Sequence, residues 1–416
     1  MQLLLTPIGS AGDNYPLIAL GIELKRRGHR VRVLTGQTFK PVVLAAGLEY
    51  LQTSTHEEYI AGLQHPDLWH PLRGYATVMA MVSQQLRRVF ALLRQIVIPG
   101  QTLVIAPTLD LASRTLQEKT GLPVVTVHLQ PIVLRTCYTV STALGATDLS
   151  FLPQWTKRLL WRAVDRWMLD PPLAGVLDEM RRDVGLPPIR RIFDGWIHSP
   201  LLTLGLFPPW FAPPQPDWPR QLRLTGFPLF DGTSDEHLAP PLEAFLDAGA
   251  PPLVFTFGSA MVHGRKLFAA AAAAARSLGR RALLLTGHSE QIPDPLPADM
   301  MHWDYVPLGR LLPRCAALVH HGGIGTVAAG LAGGVPQLVM PLSHDQPDNA
   351  VRASRLGVAR MLSPRRANAS AMSQAVGELL SSQAVASSCH KVARLCRQTD
   401  AVAQSCDLIE GAMAKA

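Results

Sequence analysis

Short apolar runs recur along the chain in an order that one structural unit explains. Leu3-Leu4-Leu5, Val31-Arg32-Val33-Leu34, Leu103-Val104-Ile105-Ala106 and Val124-Val125-Thr126-Val127 stand in the first half. Leu253 to Phe257, Leu283-Leu284-Leu285-Thr286, Ala316 to Val319 and Leu338-Val339-Met340-Pro341 stand in the second. Each is too short for a helix and is bounded by Gly, Pro or polar residues, the pattern of a strand buried on both faces of a parallel sheet. Between them lie stretches of helical character. Leu17 to Lys25 ends at Gly28, and Met79 to Leu93, Leu111 to Lys119, Ala269 to Ala275 and Met372 to Met413 follow. A helix is expected to start near Pro16, where a missing N–H costs little. Strand, helix, strand within about thirty residues is a βαβ unit. The chain therefore reads as α/β with two doubly wound, Rossmann-like halves.

The densest run of prolines, Phe207 to Pro219, fits neither helix nor central strand and marks the approach to a domain boundary. The expected division is a first domain over 1–212, a linker over 213–240, a second domain over 241–395 and a final segment over 396–416. Trp155, Trp161 and Trp167 recur at a spacing of six, which does not keep the rings on one helix face. That segment either lines an apolar pocket or packs as core, and core is the commoner outcome for any one tryptophan.

Length and composition support two cores and exclude disorder: 416 residues, 48% hydrophobic and 17% charged. The net charge of +8 is spread along the chain, densest at Lys25-Arg26-Arg27 and Arg190-Arg191. It lacks the aromatic-interleaved basic stripe of a nucleic-acid surface, so no nucleic-acid partner is expected. An anionic small molecule or an anionic membrane surface explains the excess equally well. The five cysteines show no C-x-x-C spacing and suit a reducing cytoplasm. No stretch is long enough to span a bilayer, and the N-terminus lacks a basic leader. The expected location is the cytoplasm or the inner face of its membrane. The histidines at 56, 65 and 70 lack metal-site spacing with a third ligand, so no metal and no cofactor are expected.

The chemistry concentrates between His320 and Gln346, which reads HHGGIGTVAAGLAGGVPQLVMPLSHDQ. An apolar strand ends in two histidines, a glycine turn follows, and a helix starts near Thr326. Free N–H groups of a helix start at the edge of a parallel sheet form a site for phosphate. Gly323 and Gly325 let the backbone approach, Thr326 adds a hydroxyl, and His320 and His321 can donate to anionic oxygens. No G-x-x-x-x-G-K-[ST] motif is present, so the site would hold a diphosphate without kinase apparatus. Asp345 and Gln346 carry an acceptor and a donor–acceptor suited to sugar hydroxyls. Together they suggest a nucleotide sugar. Near the N-terminus, Asp13 follows the first strand. By position alone it is a helix cap or a proton acceptor.

The stretch His320 to Gln346 resembles the nucleotide-binding signature of the inverting, nucleotide-sugar-dependent glycosyltransferases of the GT-B fold, which include plant, macrolide, glycopeptide and sterol enzymes. The resemblance implies two Rossmann-like domains facing a central cleft, an acceptor domain first and a donor domain second. It implies a last helix that crosses back to the first domain. Gly12-Asp13-Asn14-Tyr15-Pro16 falls where the family carries its catalytic base, which makes Asp13 the base, with Ser10 and Gly12 in the loop beside it. Gly258-Ser259 falls where the family contacts the donor phosphates. Tyr305 and Val306 fall at the base-stacking position, and His344, Asp345 and Gln346 at the sugar. No D-x-D-like metal site is visible.

A narrower resemblance, to the bacterial rhamnosyltransferases of rhamnolipid synthesis, rests on Arg191 to Pro200, Leu206 to Pro214 and Thr225 to Gly232. It implies dTDP-L-rhamnose or UDP-glucose as donor and a hydroxy fatty acid ester as acceptor. The product would be a glycolipid biosurfactant, and a peripheral membrane or acyl-synthase partner is left open. The alternatives are a sterol or polyketide acceptor, a sugar-nucleotide epimerase of the same fold, and a non-catalytic lipid- or nucleotide-binding partner protein.

Overall fold

The computed structural model describes residues 1–70, 73–139, 151–232, 237–258, 261–262 and 264–414. The chain divides into two compact units, Met1–Pro228 with Asp400–Ala416, and Leu229–Thr399. Each is built on one parallel sheet with helices on its faces, as a chain of alternating buried strands and helical segments requires.

In unit 1 the strands are β1 (Gln2–Leu5), β2 (Arg30–Gly36), β3 (Glu49–Ser54), β4 (Thr102–Pro107), β5 (Val124–His128), β6 (Leu202–Gly205) and β7 (Leu222–Leu224). Their order across the sheet is β3-β2-β1-β4-β5-β6-β7, all parallel. Leu3 stands opposite Val31 on one side and Leu103 on the other. The strand order therefore reverses between β1 and β4, where such sheets place their ligands. Leu4, Val104 and Val124 join Val82, Leu86 and Val89 of the helix Gly74–Ile96 in one core.

The pattern of apolar runs foresees β1, β2, β4 and β5 but not β3, β6 or β7. β3 and β7 are outer strands, half-covered and therefore without a continuous apolar run. β6 is buried throughout, but Thr203 and Gly205 interrupt its apolar run. The first long helix starts at Ala11, five residues before Pro16, because Ser10 and Asp13 close a hydrogen-bonded helix start there. The proline-dense segment is packed into unit 1: Phe207, Phe211, Ala212 and Trp218 are buried, and Trp210, Phe211 and Phe227 meet edge to face.

Unit 2 carries β8 (Leu253–Thr256), β9 (Ala282–Leu285), β10 (Met300–Trp303), β11 (Ala317–His320), β12 (Gln337–Val339) and β13 (Ala359–Met361). The order is β10-β9-β8-β11-β12-β13, again all parallel, so the reversal falls between β8 and β11.

The helix Ala401–Met413 belongs to unit 1. Ser405 Oγ donates to Thr225 Oγ1 at 2.8 Å, and Arg27 Nη1 reaches Asp407 Oδ1 at 2.6 Å and Glu410 Oε2 at 2.7 Å. Ile409 and Cys406 on its inner face are fully buried. Ile409→Ala is expected to lower the unfolding free energy of unit 1 by about 2–5 kcal/mol, read from urea denaturation.

Candidate active site

The site in unit 2 starts at the end of β11. His320 is fully buried and both of its ring nitrogens are committed. Nδ1 accepts from Gly322 N–H at 3.1 Å, which places the proton on Nε2, and Nε2 stands 3.0 Å from Gln337 Oε1 on β12. His320 thus shapes the turn and has no nitrogen to spare for a ligand. His321 differs. It is 9% exposed, and its Nδ1 has no hydrogen-bond partner among the described residues. Its ring lies against two glycines. A Cβ on Gly258 would come within 2.9 Å of the ring and a Cβ on Gly323 within 2.6 Å of Nε2, so only glycine fits at either place. Burial holds both imidazoles below their ordinary range, His320 at about 3 and His321 at about 4.

The helix Ile324–Gly333 follows with Gly323 as its cap residue and no side-chain cap. Its first intrahelical bond is Val327 N–H to Gly323 C=O, so the N–H groups of Ile324, Gly325 and Thr326 have no acceptor within the helix. Gly325 is exposed and Thr326 half-exposed. An uncapped helix start beside an unsatisfied buried imidazole suits an anionic oxygen.

The second half of the site comes from the turn after β12. Gln346 is buried, and its Oε1 accepts from Leu342 N–H at 2.8 Å and Ser343 N–H at 3.2 Å. The carbonyl of its amide is spent on the turn; the NH2 group is the part left for a ligand. Asp345 is half-buried and His344 is exposed at φ 59°. Asn349, which sequence reasoning missed, joins the two halves. Its Nδ2 donates to Gly322 C=O at 3.0 Å and to Asp345 Oδ2 at 2.6 Å. Nothing local signals this, because Gly322 lies 27 residues away along the chain. Val306 is buried in the core with Leu283, Leu311 and Leu318, so its side chain faces away from any ligand. Tyr305 is half-exposed, and its hydroxyl donates to the Asp231 carbonyl. Ser259 lies outside the described residues.

In unit 1, the loop after β1 carries Gly9 and Ser10, and Gly12 and Asp13 stand in the first turn of the helix that starts at Ala11. Asp13 Oδ2 accepts from Ser10 N–H at 2.8 Å and from Ser10 Oγ at 3.0 Å. Gly9 sits at φ 126°, and a Cβ there would lie 2.3 Å from Asp13 Oδ2. Gly12 is exposed. Burial raises the Asp13 carboxyl above the usual aspartate value, against the opposing pull of the two Ser10 hydrogen bonds. Asp110, at the end of the neighbouring β4, is fully committed. It accepts from Thr6 Oγ1 and Ser113 Oγ, each at 2.5 Å, and caps the helix Leu111–Thr120 through Ser113 N–H. A buried chain also runs from Thr108 to His128 to His198 at 2.8 Å per step, and burial holds both imidazoles neutral at pH 7. Among the described residues no group of three or more His, Cys, Asp or Glu could hold a metal ion. No described helix is long and apolar enough to cross a membrane.

Known proteins resemble this chain over most of its length. Residues 3–134 match the model of the glycosyltransferase family 28 N-terminal domain, and residues 283–406 match the C-terminal domain of erythromycin biosynthesis protein CIII-like proteins. An O-mycaminosyltylonolide 6-deoxyallosyltransferase of Streptomyces fradiae is 32% identical over 99% of this chain and 97% of its own. A vancomycin aglycone glucosyltransferase of Amycolatopsis orientalis is 28% identical over 86% of this chain and 85% of its own. The solved glycosyltransferase VinC, in complex with dTDP, superposes with a TM-score of 0.70 at 21% identity, covering 100% of each chain. The chain belongs to the nucleotide-sugar-dependent glycosyltransferases of the GT-B fold and is an enzyme of that family.

These relatives overturn the expectation of a hydroxy fatty acid ester as acceptor and a glycolipid biosurfactant as product. Two enzymes that match most of the chain are named for O-mycaminosyltylonolide and for the vancomycin aglycone. The structure supplies the reason that the narrower resemblance misled. Phe193 and Ile197 in its first block, and Phe207, Phe211 and Ala212 in its second, are buried. Such residues carry kinship in packing and say nothing about an acceptor.

Two outcomes are expected at this site. Asn349→Leu keeps the branching of the side chain but removes both hydrogen bonds, and Gly258→Ala drives a methyl group into His321. Each should weaken binding of thymidine diphosphate by about tenfold or more, measured by calorimetry. The second outcome concerns pH. Unfolded imidazoles take up protons near pH 6.5, whereas folded His320 and His321 do so only at about 3 and about 4. The unfolded state therefore binds more protons between those limits, and the stability of unit 2 should fall as pH drops from 6.5 towards 4. Urea midpoints at intervals across that window check this, and the double variant His320→Gln/His321→Gln should show the shallower fall.

Proposed function

We propose that the chain transfers a sugar from a thymidine or uridine diphosphate donor to a hydroxyl of a polyketide- or glycopeptide-type scaffold, with inversion in a single displacement. The acceptor class is supported by the relatives that match most of the chain, one acting on O-mycaminosyltylonolide and one on the vancomycin aglycone. The observation that carries the donor reading is the uncapped helix start at Ile324 beside the unpartnered His321 Nδ1.

In this reading the acceptor O–H proton passes to the Asp13 carboxylate, and the oxygen forms a bond to the anomeric carbon. The bond from that carbon to the diphosphate breaks, and its electron pair leaves with the diphosphate. His321 and the N–H groups of Ile324, Gly325 and Thr326 are already oriented to receive that charge. His321 is neutral at pH 7 before a ligand binds, so it acts as a hydrogen-bond donor and not as a cation. Asp345 and the Gln346 amide NH2 read sugar hydroxyls, with Asn349 holding Asp345 in place. Tyr305 offers its half-exposed ring to the base.

Mass spectrometry of reactions that pair dTDP- and UDP-sugars with macrolide and glycopeptide aglycones tests the assignment. An aglycone that gains one sugar is the expected product. Asp13→Asn should lower kcat/KM by about 10²–10⁴-fold while thymidine diphosphate affinity stays unchanged. The acid limb of the wild-type pH profile should lie above the ordinary aspartate range, because burial raises the Asp13 carboxyl. Full turnover by Asp13→Asn would show that the base lies elsewhere.

A further inference from the structure

The segment 151–168 carries an outward face that includes neither Asp13 nor any donor-site residue named above. It forms the helix Gln154–Val164 and a wider turn, Asp165–Leu169. Its inner side is anchored. Asp165 is fully buried and pairs with Arg135 Nη1 at 2.5 Å, and the Arg135 guanidinium lies 4.9 Å from the centre of the half-buried Trp161 ring. The outer side is therefore a fixed surface and not a frayed end. Phe151, Trp155, Leu159, Trp167 and Met168 are exposed on it, the two tryptophans at 64% and 73%. Single exposed apolar residues are ordinary, but five in one short segment form a patch.

Arg158, Arg162 and Arg166 are exposed on the same segment. Helical spacing puts Trp155, Arg158, Leu159 and Arg162 on one face. The one carboxylate within 151–168 is Asp165, which is buried and already paired. The outward face thus combines aromatic rings, apolar side chains and positive charge with no exposed carboxylate in the same segment. That combination suits the boundary between lipid headgroups and acyl chains, where tryptophan rings settle and arginines meet phosphate. A second copy of the chain would bring three arginines against three. A chain with net charge +8 is further drawn to a negative surface.

We propose that this face docks the enzyme peripherally on an anionic lipid bilayer. The docking surface does not depend on which acceptor is glycosylated, and it involves neither Asp13 nor the donor site.

Flotation with vesicles of phosphatidylglycerol and phosphatidylcholine, against vesicles of phosphatidylcholine alone, tests it. The full chain should float with the anionic vesicles only and be released by high salt. Arg158→Glu/Arg162→Glu/Arg166→Glu should lower partitioning by about a hundredfold, given roughly a fivefold contribution from each arginine near such a surface. Trp155→Ala/Trp167→Ala should weaken it independently. Thermal unfolding and thymidine diphosphate binding confirm that both variants remain folded. Absence of flotation, equal partitioning into neutral vesicles, or binding that survives both variants would overturn the proposal. So would a monomer–dimer equilibrium in sedimentation that is abolished by Trp155→Ala/Trp167→Ala, because a second copy would then own the face.

Discussion

A parallel strand that ends against a helix leaves backbone N–H groups with no partner in either element. Burying such groups unsatisfied is costly, so the mouth of the sheet either caps them or offers them to a ligand. Unit 2 leaves them open. Gly323 supplies no side-chain cap, and His321, pressed between Gly258 and Gly323, adds a nitrogen without a partner. Unit 1 takes the other course. Ser10 and Asp13 satisfy each other at the helix start, which holds the carboxylate in place and raises its proton affinity through burial. One geometric constraint therefore yields an anion site in one unit and a fixed carboxylate in the other.

The turns after β11 and β12 are held together by hydrogen bonds within the chain. His320 spends both nitrogens on Gly322 and Gln337, so the turn after β11 is tied to β12. Asn349 spends its amide on Gly322 and Asp345, so the same turn is tied to the sugar-reading pair. Gln346 spends its carbonyl on Leu342 and Ser343. Each fixes a neighbouring turn in place. The paired histidines divide likewise: His320 is a strut, and His321 keeps a ring nitrogen with no hydrogen-bond partner among the described residues.

Much of this was legible in the order of residues. Strands buried on both faces announce themselves as apolar runs, and the glycine turn with its flanking histidines announces the uncapped helix start after β11. Edge strands such as β3 and β7 were not legible, because half-covered strands need no apolar run. The start of the first helix was misjudged because proline was weighed above the Ser10–Asp13 pair. Neighbouring residues also separated in role: Val306 turned into the core while Tyr305 stayed at the surface.

The sequence by itself determined the family and the two parallel sheets and marked His320 to Gln346 as the candidate donor stretch, since these depend on local periodicity and on residues close together in the chain. The tertiary structure alone decided which of His320 and His321 keeps a free nitrogen. It decided that Asn349 links two turns and that Trp155 and Trp167 face outward. Those outcomes depend on what lies across the sheet or behind the helix, and residues distant along the chain supply it. For the same reason the buried blocks Arg191 to Pro200 and Leu206 to Pro214 suggested the wrong acceptor. Packing is shared among relatives, whereas acceptor choice is made at the surface that meets the substrate.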